Sequence, residues 1–296
     1  MQATVVCQRL FALSQGSQRS GTVHSVFDHA VNLELGEDCL IGLIAETKAL
    51  TPYAVSVRTN NSFAQAGVRA GMAAYLQNGM LSIPEAGVEV DLSRAARADL
   101  SVDSIVLGNH LVTLALLEKR ISKALSGVDA EMSLAALVTG GEGNIYTRFL
   151  APRLEQLFSA ISREAFDEAA QAAANCAGCG MGLTPSSDDM LCGYFTTLHL
   201  LFRANERFNA KAHILFLAQA AANKTNRISG SFLLQSGMAL ANLAICELFS
   251  SSLPCIEPES ADRAIMRALA IGSTSGADLL TGTALALRQH IGGNEI

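Results

Sequence analysis

The sequence predicts an α+β protein in which a β-rich N-terminal region, residues 1–100, precedes a larger, mainly α-helical region, residues 101–296. Two patterns indicate this. Apolar residues of the first region fall in short runs bounded by turn residues, which is typical of strands. From Val102 onward they recur with the longer period of amphipathic helices. Half of the 296 residues are hydrophobic, 50%. The chain can therefore bury a sizeable core in one large domain or two ordinary ones.

Six runs in the first region have the composition of strands. A hairpin turn at Gly36-Glu37-Asp38 would join two of them, and the less regular stretch 60–77 is compatible with a short helix. The predicted strands are residues 23–27, 31–35, 39–44, 54–57, 80–83 and 88–92.

Seven segments of the second region have helical periodicity. Pro254 and Pro258 interrupt the pattern between the fifth segment and the sixth. A glycine-rich loop at residues 139–144 either lines a pocket or simply connects helices. The predicted helices are residues 103–125, 151–177, 185–204, 210–224, 228–249, 261–270 and 275–290.

Composition and charge exclude several classes of protein. The net charge of −6 and the absence of a basic stripe argue against a nucleic-acid-binding protein. No apolar run reaches the roughly 18 residues of a membrane span. The N-terminus lacks a basic start followed by an apolar block, so we expect a cytoplasmic protein without a signal peptide. Cys176 and Cys179 form a C-x-x-C pair, which we interpret as small apolar residues rather than a metal or redox site.

The most informative stretch runs from Gly178 to Gly193. Three alternating glycines precede Thr184, a good helix N-cap, and Pro185, which suits the first helical position. Free N–H groups in the first turn of a helix attract anions. The stretch therefore predicts an anion or phosphate cradle, although an ordinary loop entering a helix is the alternative interpretation. The cradle residues are Gly178, Gly180, Gly182, Thr184, Pro185 and Ser186.

A similar pattern recurs near the C-terminus. Residues 186–193 and 275–282 both read Ser-x-x-Asp-apolar-Leu-x-Gly, and each begins a predicted helix. A capping box explains the serine and the acid but not the glycine one turn later. That glycine would let another backbone pack closely. We therefore expect two helix N-termini of similar design that face a common pocket. The second contributes Ser275, Gly276 and Asp278.

Residues 223–230 place many polar side chains between two apolar helices. Arg227 is the best local candidate for a counter-charge to a carboxylate or phosphate. Thr225 and Ser229 are its neighbours and further candidate ligand-binding residues. A solvated loop with Thr225 or Asn226 as a helix cap is the alternative interpretation.

The motif at residues 178–189 resembles that of the AllH-like family. So do residues 272–278, the segment 30–33 with its hairpin, and the pair Thr225 and Ser229. The resemblance extends from about residue 25 to residue 287. Met181 and Ser187 depart from the usual residues of the family, and neither change removes a charge or a necessary glycine.

The resemblance implies an oxamate carbamoyltransferase subunit that acts with an FdrA-like and an AllG-like protein in purine and allantoin catabolism. That reaction exchanges oxalurate and phosphate with oxamate and carbamoyl phosphate. Backbone N–H groups would stabilise the oxyanion on the carbamoyl carbon. Thr184, Asp188 and Asp189 are the candidate catalytic residues, with Asp188 or Asp189 orienting the amine or holding a metal ion.

Two alternatives stay open. In one, the protein is a Mg²⁺-dependent nucleotide- or phosphate-binding, kinase-like enzyme with the ion at Asp188 and Asp189. In the other, it is a non-catalytic assembly subunit. A titration of the isolated chain with Mg-ATP separates the first alternative from carbamoyl transfer.

Overall fold

The computed structural model describes residues 1–36, 40–105, 111–204, 210–252 and 258–292. Two compact units are present, Met1–Leu100 and Ser101–Ile296. The described strands lie in the first unit, and all the described α-helices except the first lie in the second. The predicted α+β class is therefore confirmed.

The N-terminal unit contains a nine-stranded sheet with the order β8-β7-β6-β2-β3-β4-β5-β1-β9. Its inner face carries the alternating apolar residues of the sequence, such as Val31 and Leu33, which are fully buried. The sheet curls, since the amino group of Met1 before β1 donates to the carbonyl oxygen of Glu89 in β8, at 2.9 Å. The strands are β1 (Gln2–Cys7), β2 (Arg19–Val26), β3 (Ala30–Glu34), β4 (Leu40–Ala45), β5 (Ala54–Arg58), β6 (Ala73–Gln77), β7 (Met80–Ile83), β8 (Val88–Asp91) and β9 (Ala96–Ala98).

Helix α1 (Gln8–Ser14) belongs to the N-terminal unit, and the other ten described helices form the C-terminal unit. No helix in the described parts of the chain is both long and apolar enough to cross a membrane. The helices of the C-terminal unit are α2 (Leu111–Leu125), α3 (Ala136–Thr139), α4 (Ile145–Ser162), α5 (Phe166–Cys176), α6 (Ser186–Ala204), α7 (Ala210–Ala222), α8 (Arg227–Gly237), α9 (Leu243–Ser252), α10 (Pro258–Leu269) and α11 (Ser275–Gly292).

Two predicted helices are each divided in the structure. The segment 151–177 breaks between α4 and α5, where Glu164 adopts a left-handed φ of 61°. The segment 228–249 breaks between α8 and α9, where Ala239 has a φ of 62°. Asn242 then caps α9, because its side-chain oxygen accepts from the Ile245 N–H at 3.0 Å. Apolar periodicity continues across both breaks, so the sequence pattern did not reveal them.

Other predictions for the fold also need correction. No helix forms within residues 60–77, and β6 occupies the end of that stretch. Strands β1 and β9 and helix α1 were not predicted. Residues 106–110 of the first predicted helix, Pro254, and Glu37 and Asp38 of the predicted hairpin turn lie outside the described residues.

Candidate functional site

Helices α6 and α11 pack backbone against backbone through one glycine each. A β-carbon on Gly193 would collide with the carbonyl oxygen of Leu279. A β-carbon on Gly282 would collide with the carbonyl oxygen of Met190. The prediction that these glycines admit another backbone is confirmed, and each helix is the other's partner.

The two contacts are reciprocal. Gly193 and Gly282 are equivalent positions of the repeated motif, and so are Met190 and Leu279. Each glycine therefore meets the equivalent carbonyl of the other helix. This arrangement places their first turns side by side.

Hydroxyl groups connect the two first turns. Thr184, just before α6, and Ser275, the first residue of α11, lie with their side-chain oxygens 3.3 Å apart. The Ser275 hydroxyl of α11 also lowers the pKa of Asp189 in α6 through a side-chain hydrogen bond. The Ser186 hydroxyl of α6 has the same effect on Asp278 in α11.

Asp189 and Asp278 are buried at this junction, with exposed fractions of 7% and 0%. Burial raises the pKa of Asp189 to about 7, an effect that the hydroxyl groups of Ser275 and Thr184 partly offset. The neighbouring carboxyl groups of Asp278 and Asp188 raise it further.

Burial likewise raises the pKa of Asp278 to about 6. The Leu134 N–H opposes this shift by donating to Oδ1 at 2.7 Å. Oδ2 of Asp189 and Oδ2 of Asp278 have no hydrogen-bond partner among the described residues. The site thus contains two buried acids, each with an acceptor oxygen that no described residue uses.

Asp188, in contrast, is fully engaged by the protein. Its Oδ1 accepts from the Gly178 N–H at 2.7 Å and from the Ser187 hydroxyl at 3.3 Å. Its Oδ2 accepts from the hydroxyl groups of Thr225 at 2.5 Å and Ser229 at 2.7 Å. Asp188 therefore ties the glycine loop and α8 to the start of α6. Thr225 and Ser229 bond to Asp188 and not to Asp189.

The glycine loop folds back onto the start of α6. The Cys179 carbonyl accepts from the Ser187 N–H at 2.9 Å, and the Ser187 hydroxyl accepts from the Cys179 N–H at 2.8 Å. Gly178 has a φ of +75°, and a β-carbon there would lie 2.8 Å from the Lys224 carbonyl. At Gly180, φ is +132° and a β-carbon would lie 2.5 Å from the Ser186 nitrogen. Glycine is thus required at both positions. At Gly182 a β-carbon would meet no described atom within 4 Å, but the φ of +94° itself favours glycine.

The start of α6 differs from the prediction. The helix begins at Ser186, one residue later than expected. The Pro185 carbonyl accepts from the N–H groups of Asp188 and Asp189, at 2.9 and 3.2 Å. The Thr184 hydroxyl meets Ser275 instead of capping the helix. Protein acceptors therefore use N–H groups that the sequence argument left free for an anion.

The polar entry to α8 follows the alternative interpretation, in which Asn226 is the cap. Its Oδ1 accepts from the N–H groups of Ile228 and Ser229, both at 3.1 Å, and its Nδ2 donates to the Leu183 carbonyl at 2.8 Å. Arg227 is the first, half-buried residue of α8. Its role as a counter-charge stays a prediction.

Gly276 serves packing within the helical unit, because a β-carbon there would collide with the Ala268 carbonyl of α10.

The contact of Leu134 with Asp278 was not predicted. It uses a backbone N–H from a segment 144 positions away, so no side-chain motif marks it.

Within the described ranges, no group of three or more His, Cys, Asp or Glu side chains is arranged to hold a metal ion. Cys176 is fully buried and Cys179 partly so. Burial raises the pKa of Cys176 to about 12, which disfavours the reactive thiolate. This environment supports the interpretation of Cys176 as a small apolar residue.

Comparison with known proteins gives the family. Residues 176–287, which contain both helix starts and the Asp188 cluster, match the family described as oxamate carbamoyltransferase subunit AllH. Residues 2–97, the curled sheet, match the AllH family N-terminal domain. No solved structure matches the chain. The two matches together cover most of the sequence, and the chain belongs to the AllH family.

Proposed function

We propose that this chain is a carbamoyltransferase component that binds its small substrates where the first turns of α6 and α11 meet. The observation that carries the proposal is the contact between Thr184 and Ser275, which joins the two turns beside the buried carboxyl groups of Asp189 and Asp278. Family membership supports the reaction class. The substrates would be carbamoyl phosphate or phosphate, together with oxamate or oxalurate.

The chemistry of the exchange fits two buried acids. When phosphate attacks oxalurate, an oxygen of phosphate forms a bond to the carbamoyl carbon and the bond from that carbon to the oxamate nitrogen breaks. The released nitrogen takes up a proton, the attacking hydrogen phosphate gives one up, and the products are carbamoyl phosphate and oxamate. A general acid works best when its pKa is near the working pH. Asp189, with a pKa of about 7, is suited to supply that proton.

The remaining predicted residues would act around this centre. The hydroxyl groups of Thr184, Ser186 and Ser275 would orient the substrate. Arg227 would offset the negative charge of phosphate. Asp188 would position the glycine loop, because four protein donors already occupy its carboxylate.

We further propose that the chain works with FdrA-like and AllG-like subunits in purine and allantoin catabolism. Membership of a family described as a subunit supports assembly with other proteins. The test is co-purification of the three proteins, followed by an assay of oxamate formation from oxalurate and phosphate.

Binding to the isolated chain tests the site directly. Calorimetric titration would use phosphate, carbamoyl phosphate, oxamate and Mg-ATP. The variants are Asp189→Asn and, as a matched control, Asp167→Asn, which changes an exposed acid in the first turn of α5. We expect carbamoyl phosphate or oxamate to bind the unmodified chain and the control but to bind Asp189→Asn more weakly.

Other outcomes favour the alternatives. Binding of Mg-ATP alone would favour the kinase-like enzyme. Failure of the folded chain to bind any of the four ligands would overturn a self-sufficient site. Full turnover of an assembled complex that carries Asp189→Asn would then favour the assembly subunit.

A further inference from the structure

The candidate site contains two of the three buried side-chain atoms that lack a hydrogen-bond partner within the described ranges. These two are Asp189 Oδ2 and Asp278 Oδ2, and the third is Gln235 Oε1. A buried acceptor without a donor is costly, and such atoms are rare in folded proteins. Two of them at equivalent positions of adjoining helices indicate that something outside the chain supplies the donors.

The described protein donors around the two acids leave both Oδ2 atoms unpaired. Neighbouring hydroxyl groups already hydrogen-bond to the carboxyl groups, those of Ser275 and Thr184 to Asp189 and those of Ser186 and Thr274 to Asp278. The Leu134 N–H donates to Oδ1 of Asp278. This bond fixes the carboxyl group while its Oδ2 stays unpaired.

The chemistry of these two oxygens restricts the ligand. A carboxylate oxygen accepts hydrogen bonds and repels another carboxylate or phosphate oxygen that has no proton. A primary amide presents two N–H donors from a single nitrogen. A ligand end that carries an NH₂ group therefore satisfies the orphaned acceptors, whereas an end with oxygens alone does not.

We propose that Asp189 and Asp278 are a specificity-determining pair whose Oδ2 atoms accept the N–H groups of a carbamoyl or amide end of the ligand. The pair selects that end over a carboxylate of the same shape. This inference rests on the proposed function, because it assumes that the substrate lies at the junction of α6 and α11.

Oxamate and oxalate are the matched probes. They have nearly the same size and shape, and oxamate has an NH₂ group where oxalate has a carboxylate oxygen. Calorimetric titration of the unmodified chain at pH 8, where both acids are ionised, should give an affinity for oxamate at least about tenfold higher than for oxalate.

Replacing the acids by their amides should remove the preference. The side chain of Asp189→Asn or Asp278→Asn has nearly the same shape and presents an N–H donor in place of one acceptor. We expect the oxamate-to-oxalate ratio to fall toward one or to invert in each variant. Asp167→Asn should leave the ratio unchanged. Thermal unfolding and circular dichroism check that each variant is folded.

The outcomes separate the two proposals. If oxamate and oxalate bind the unmodified chain with equal affinity, the specificity pair is overturned and the proposed site stands. If folded Asn variants keep the full preference, the pair is likewise overturned. Failure of both compounds to bind the unmodified chain overturns the specificity pair, and the titrations with phosphate and carbamoyl phosphate then decide whether the proposed site stands. Should a variant not fold, the ratio measured on the unmodified chain decides.

Discussion

Gly282 of α11 lies against the carbonyl oxygen of Met190 in α6, without room for a β-carbon. The equivalent Gly193 lies in the same way against Leu279. The first turns of the two helices, with Asp189 and Asp278, keep their relative position because the backbones meet one turn further along.

Gly282→Ala should therefore be strongly destabilising. The new methyl group cannot be accommodated unless one helix backbone moves, and overpacking a core costs about 1–3 kcal/mol or more. We expect the free energy of unfolding in urea to fall by about 3 kcal/mol. Gly292→Ala, at the end of the same helix, serves as the control, since a β-carbon there meets no atom of the described residues within 4 Å. Equal stability of the two variants would contradict the close packing.

Asp188→Asn should destabilise the protein through the glycine loop. Four donors converge on this carboxylate, and the amide nitrogen of asparagine cannot accept any of them. A buried donor without an acceptor costs about 1–3 kcal/mol. We expect a loss of about 3 kcal/mol by thermal or urea unfolding. Asp167→Asn should stay within about 0.5 kcal/mol of the unmodified chain. A melting temperature unchanged by Asp188→Asn would refute the positioning role.

The two buried acids should make stability depend on pH. Their pKa values in the folded chain, about 7 for Asp189 and about 6 for Asp278, exceed the ordinary value of 3.8. The folded state then holds protons more tightly than the unfolded state. This contribution is fully present below pH 3.8 and is lost as the pH rises through 6 and 7.

Urea unfolding between pH 5 and pH 8 checks this dependence. Each acid contributes a slope of at most about 1.4 kcal/mol per pH unit. Asp189→Asn should weaken the dependence of the free energy of unfolding on pH at the high-pH end of this range. The carboxyl groups that act on Asp189 are Asp278 of α11 and Asp188 of its own helix, so Asp278→Asn should also lower the pKa of Asp189. Profiles that coincide for the unmodified chain and both variants would contradict the predicted linkage.

His199 should produce the opposite dependence at lower pH. Its Nε2 lies 2.9 Å from the Gly237 carbonyl, and burial lowers its pKa from 6.5 to about 4. The neutral ring donates to that carbonyl, so the contribution of His199 to stability is present above pH 6.5. It is lost as the pH falls through 4.

His199→Gln tests this contribution. Unfolding of the unmodified chain and the variant should be compared from pH 7 to pH 4. The stability difference should shrink toward the acid end, since only the unmodified chain must protonate a buried ring. His24→Gln, on an exposed strand position, is the matched control for the substitution itself. A constant difference for His199→Gln would argue against the lowered pKa.

Local patterns were sufficient for the parts of the fold that depend on neighbouring residues. The bounds of β7 and the start of α11 at Ser275 were predicted as the structure has them. The helix breaks at Glu164 and Ala239 could not be predicted from the sequence. Neither residue is a glycine or proline, and nothing in their type marks a left-handed backbone. Tertiary packing overrode the local pattern there.

The site was predictable only where a local sequence pattern marks it. The repeated motif pointed to two similar helix starts, and the structure brings Thr184 and Ser275 together. The different roles of Asp188 and Asp189 were not visible, because two of the four bonds to Asp188 come from residues 37 and 41 positions further along the chain. Adjacent acids in one helical turn point in different directions, and only the fold shows what each meets.

Asn144, at the start of α4, holds the segment that precedes α3 and the exposed loop 140–142. Its side-chain nitrogen donates to the carbonyl groups of Ala130, Glu131 and Ser133. Leu134, in the same segment, is bonded to Asp278. A protease that cuts the chain between Gly140 and Gly141 would therefore leave both fragments bound to each other. The nicked protein should migrate as one species on a native gel and as two under denaturing conditions.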